Sequence, residues 1–71
     1  MMRTFFVPDA ESADRARKSQ FGQHRDTFSG VDVIDHQVRM YTGVVQSVDD
    51  SGDSAPRGRR WRVSISLAYL N

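Results

Sequence analysis

The stretch Arg60–Leu70, RWRVSISLAYL, sets Trp61, Val63, Ile65, Leu67 and Tyr69 on every second residue, with Arg62, Ser64, Ser66 and Ala68 between them. Side chains alternate between the two faces of a strand, so this period predicts a strand with one buried and one wet face. No other segment places five large apolar side chains on one face. The rest of the chain is read as what covers that face and what pairs with the strand's edges.

Immediately before it, Asp49–Arg59 (DDSGDSAPRGR) is loop chemistry, with Gly52, Pro56 and Gly58 among Ser and Asp. Further back, Val38–Val48 (VRMYTGVVQSV) alternates again and predicts a second strand, antiparallel to the first across a long loop. Gly43 interrupts that pattern, which predicts a bulge or bend. Apolar residues fall on both parities there, so a face carrying Tyr41 and Val45 is a candidate interaction surface. Val31–Asp35 (VDVID) reads as a short acidic edge strand, and Gly22–Gly30 as a connection.

Asp9–Phe21 (DAESADRARKSQF) is the one good helix candidate. Asp9 is placed as N-cap and Gly22 as the residue beyond the C-terminus. Acidic Glu11 and Asp14 precede basic Arg15, Arg17 and Lys18, an order that complements the helix dipole. Its apolar side is thin: Ala10, Ala13, Ala16 and then Phe21. Met2–Val7 (MRTFFV), closed by Pro8, predicts a first strand.

The order β-α-β-β-β points to an α+β fold: a three- or four-stranded antiparallel sheet carrying one helix. A small, strongly bent β-barrel is the alternative, because Gly43 sits mid-strand. Residues 1–71 are expected to form a single small domain. A core of this size supplies only about 3–5 kcal/mol of net stability, and self-association is a common remedy.

The 71 residues include no cysteine, ten basic and nine acidic side chains, and so a net charge of +1. That removes disulfides and thiolate metal sites, and offers no strong long-range attraction to nucleic acid or membranes. No stretch approaches the roughly 20 apolar residues of a membrane span, nor does the N-terminus carry a signal-peptide apolar run. The expected location is cytoplasmic.

Three candidate chemistries follow from the residues. Arg57, Arg59, Arg60 and Arg62 surround Trp61, a cluster that could hold phosphates and stack a base, and so contact nucleic acid. Asp49, Asp50 and Asp53 open the same loop and can neutralise it. His24 and His36 have acidic neighbours in Asp26, Asp32 and Asp35 but no metal-ligand spacing. There is no nucleophile elbow and no phosphate-binding glycine loop. No cofactor, metal or small-molecule substrate is indicated, and no catalytic activity is expected. The sequence favours a protein-interaction or self-association module, with weak nucleic-acid binding through Arg57–Arg62 as the alternative.

Overall fold

The computed structural model describes residues 1–52 and 59–70, and its elements run β1 (Met2–Val7), α1 (Ala10–Gly22), β2 (Asp26–Asp32), β3 (Val38–Asp50) and β4 (Trp61–Leu70). This is the α+β layout with one helix and four antiparallel strands. Consecutive strands pair, and β1 also pairs with β4 from Met2↔Ser66 to Val7↔Trp61, so the sheet closes into a ring.

The alternation in β4 places Val63 and Ile65 inside with no exposed surface, while Trp61 and Leu67 pack against that core half-buried. Phe5, Val7, Phe28, Tyr41 and Val45 complete the ring's interior. The rings of Phe5 and Tyr41 stack at 4.1 Å between centroids. The side chain of Tyr69 lies outside what is described.

Two irregularities bend β3 around this small core. The register steps from Thr42↔Tyr69 to Gly43↔Leu67, which leaves Ala68 of β4 as an extra residue. It steps again from Val45↔Ile65 to Ser47↔Ser64, which leaves Gln46 of β3 extra. Each is a bulge, and a bulge sharpens twist and bend locally. Gly43 is required at the first: a Cβ there would stand 1.9 Å from the Ser66 carbonyl oxygen. After the second bulge the inward parity of β3 switches, so Val45 and then Val48 face the core.

Helix α1 begins as its sequence predicts. The Asp9 carboxylate accepts a 2.7 Å hydrogen bond from the Ser12 N–H. Its C-terminal signal differs: Gly22 is the last helical residue, and Gln23 takes the left-handed conformation at φ 53°. The buried side is Ala13, Ala16 and Ser19. Phe21 is not part of it and is 94% exposed, because it lies about 200° around the helix from Ser19. The Ser19 hydroxyl donates to the His24 carbonyl at 2.7 Å and lies 3.5 Å from the Val45 N–H, fixing the helix across one end of the ring.

The strand expected at Val31–Asp35 starts earlier, at Asp26, and the connection expected at Gly22–Gly30 contributes most of it. Residues 33–35 are a turn instead. Phe28, Gly30 and Asp32 are the inward positions of β2. Gly30 is needed because a Cβ would meet Phe5 Cδ2 at 2.2 Å. A glycine and an aspartate on the buried parity hide a strand from a search for apolar alternation.

Candidate functional site

The last residue of β2, Asp32, is the one buried carboxylate among the described residues. Asp32 has no exposed surface. Its Oδ2 accepts from Arg3 Nε at 3.1 Å, from Arg3 Nη2 at 2.9 Å and from the Tyr41 hydroxyl at 3.1 Å. Its Oδ1 accepts from the Ile34 N–H at 2.9 Å. Burial alone would raise the pKa of Asp32, but the donors from Ile34, Arg3 and Tyr41 outweigh it and hold the carboxyl below its ordinary value. Burial and the bond to Asp32 push the Tyr41 phenol well above its ordinary value. The carboxylate's acceptor positions are filled by the protein itself, so this cluster locks β1, β2 and β3 together and presents no free acid, base or nucleophile.

The arginine cluster is partly dispersed. Arg57 lies outside the described residues. Arg59 is half-buried, whereas Arg60 and Arg62 are exposed. Arg60 reaches Asp50 at 3.3 Å and lies 5.5 Å from the centre of the Trp61 ring. The bond from Gly52 N–H and the Arg60 guanidinium hold the Asp50 carboxyl below its ordinary value. Arg62 stands directly across the ladder from Asp49. Asp50 and Asp49 thus face Arg60 and Arg62.

Tyr41 and Val45, read from sequence as a candidate interaction face, are both fully buried in the core. They share the inward parity of β3 with Gly43 and so do not form an outer face. Along the residues that pair β1 with β4, neither strand has a free edge on that side. On the remaining stretch of β2, beyond the end of β1, Arg15 of α1 donates to the Thr27 carbonyl, pairs with Asp26 at 3.3 Å and lies 4.8 Å from the centre of the Phe28 ring.

The outside of the ring carries a feature that sequence reasoning missed. In register, Phe6 sits beside Val31 and Val31 beside Val38. All three point outward, and Met40 lies two residues further along β3. Val38 is 74% exposed, Met40 41%, and Ile34 in the adjoining turn 78%. Phe6 and Val31 are half-buried. The same row continues on the other side of Phe6 into Arg62 and Asp49. The next row is hydroxyl-rich, with Ser64 between Ser47 and Thr4, and a 2.9 Å bond between the Ser64 and Thr4 hydroxyls. One side of the ring's surface is therefore apolar and the other polar.

His24 and His36 are both exposed, and no group of three His, Cys, Asp or Glu side chains among the described residues could hold a metal ion. Two shallow depressions lie on the outside of α1, one beside Glu11, Asp14, Arg15 and Lys18, the other beside Arg17, Gln20, Phe21 and Gln23. Among the described residues, no helix is long and apolar enough to cross a membrane. No family model, curated protein or solved structure matches the chain.

Proposed function

We propose that this protein is a non-catalytic association module whose contact surface is the outer face formed by Phe6, Val31, Ile34, Val38 and Met40. The observation that carries this reading is the exposure of Val38 and Ile34, 74% and 78%, with Val38 beside the half-buried Val31 in the ladder and Val31 beside the half-buried Phe6. Single exposed apolar residues are ordinary on protein surfaces. A contiguous group of them is characteristic of surfaces that meet other proteins. The polar side of the ring shows that these strands can fold with Ser, Thr, Arg and Asp outside, so folding alone does not call for the apolar set.

Nucleic-acid contact through Arg59, Arg60 and Arg62 is the weaker reading, since Arg60 is held by Asp50 and Arg62 faces Asp49. The two separate experimentally. Immobilised parent protein and its Val38→Asp variant are offered the protein fraction and the nucleic acid of the source cells, at low and high salt. The association reading predicts protein capture, by a second copy or another chain, that is lost in the variant and insensitive to salt. Capture of nucleic acid that falls steeply with salt and disappears in Arg60→Gln/Arg62→Gln would replace it.

A further inference from the structure

We infer that the β2–β3 hairpin, Asp26–Thr42, is a flap that swings on the bend at Gly43 and is latched to β1 by the Arg3–Asp32 ion pair. This motion is independent of the association surface proposed above. β1 pairs with β4 along its whole length, from Met2↔Ser66 to Val7↔Trp61, but with β2 only at Phe5↔Asp32 and Phe6↔Val31. β2 in turn pairs with β3 from Asp26↔Gly43 to Val31↔Val38. The hairpin is thus firmly joined within itself and thinly joined to β1. Toward β4 it is held at Tyr41↔Leu70 and Thr42↔Tyr69, beside the register shift at Thr42/Gly43.

Its two ends are held differently. At the base, Asp26 stands opposite Gly43, and Arg15 of α1 holds both the Asp26 carboxylate and the Thr27 carbonyl. The bulge at Gly43 is the local break in the ladder on which a strand bends. At the far end, beside the turn at residues 33–35, Arg3 Nη2 reaches Asp32 Oδ2 at 2.9 Å, and the Val33 N–H donates to the Thr4 carbonyl at 3.1 Å. A pinned base and a latched tip are the parts of a lever.

The partners of Asp32 suit a latch that releases. Its other two donors, the Tyr41 hydroxyl and the Ile34 N–H, both belong to the hairpin and travel with it. Arg3 alone comes from outside, and its side chain is already 24% exposed. When the hairpin lifts, Asp32 keeps two donors and gains water, and Arg3 is hydrated, so neither charge is left buried without a partner. What opposes opening is apolar. Phe5 of β1 stacks on Tyr41 at 4.1 Å and lies 6.2 Å from Phe28, and lifting the hairpin wets these rings. The closed ring is therefore the populated form and the open one a minor state.

Hydrogen exchange of backbone amides in the intact chain, followed by NMR, tests the inference. Two neighbouring amides separate swinging from fraying. The Val33 N–H bonds across the seam to Thr4, whereas the Asp32 N–H bonds within the hairpin to the Gln37 carbonyl at 2.9 Å. A swinging flap frees the first and keeps the second. In the parent, Val33, corrected for intrinsic rates, should exchange at least about tenfold faster than Asp32 and than Ile65 of the core. Arg3→Gln should raise the Val33 rate a further tenfold or so, with Asp32 and Ile65 rising less. If Val33 exchanges as slowly as Ile65, the seam opens only with the whole chain and the inference fails. Equal rates at Val33 and Asp32 overturn it too, since the hairpin would then fray instead of swinging. If Arg3→Gln accelerates all three amides by one factor, Arg3 is no latch.

Discussion

The two halves of β3 fold against the same core and differ most outside. From Val38 to Thr42 the strand pairs with β2, sends Tyr41 inward and exposes Val38 and Met40. From Val44 to Asp50 it pairs with β4, sends Val45 and Val48 inward and exposes Gln46, Asp49 and Asp50. Inside, both halves contribute apolar side chains to the core, and the Val38 half adds the bond from the Tyr41 hydroxyl to buried Asp32. Outside, one half is apolar and the other polar, although each is one strand thick and equally well paired. The inner pattern is thus the requirement of the fold, and the outer contrast is a property of the surface. That contrast is what the association reading explains.

The largest expected effect tests the shared interior. Ile65 is fully buried in the core, so Ile65→Ala should cost about 2–5 kcal/mol and unfold much of the protein at ordinary temperature. A thermal melt equal to the parent's would contradict the core described here. Next comes the joint between the halves. Gly43→Ala forces a Cβ into the Ser66 carbonyl and should cost about 1–3 kcal/mol or more, read as a lowered denaturant midpoint. A neutral result would mean that the bend does not depend on close approach at Gly43.

The polar lock on the Val38 half is expected to be weaker. Tyr41→Phe removes one of the donors to buried Asp32 and should cost about 1–3 kcal/mol. Its pH signature is specific. The folded-state pKa of Asp32 lies below its unfolded value of 3.8, so its stabilising contribution is full at neutral pH and is lost as pH falls below that value through the folded pKa. Asp9, Asp35 and Asp50 are also held low and act in the same direction. Tyr41→Phe should therefore make the acid limb of the stability curve shallower. An unchanged slope would show that the phenol does not hold the carboxylate. The smallest effect sharpens the contrast most: Val38→Asp, on the apolar outside, should change stability by no more than about 0.5 kcal/mol in a chemical melt at low concentration.

Local chemistry made some of this architecture legible before the structure. The period of two in Trp61–Leu67 announces β4, the Asp9 cap announces α1, and Gly43 announces the bend. β2 was concealed because two of its inward positions are Gly30 and Asp32, suited to a close-packed Phe5 and a buried ion pair rather than to apolar alternation. The pairing of β1 with β4 joins the two ends of the chain, and nothing in either segment alone specifies it. The same distance hid the Asp32 cluster, whose partners Arg3 and Tyr41 are 29 and 9 residues away. The apolar outer face was out of reach for a related reason. Phe6, Val31 and Val38 lie on three strands, and only their register brings them into one row.

The central claim is that the apolar outside of the β1–β2–β3 side is a contact surface and the polar outside of β4 is not. Backbone amide NMR spectra recorded across a concentration series, of the protein alone or of the partner it captures, test this most directly. The account predicts shifts that grow with concentration at Phe6, Val31, Ile34, Val38 and Met40, with Arg62, Ser64 and Gln46 still. Shifts centred on Arg62 and Ser64, with the Phe6–Val31–Val38 row unmoved, would contradict it.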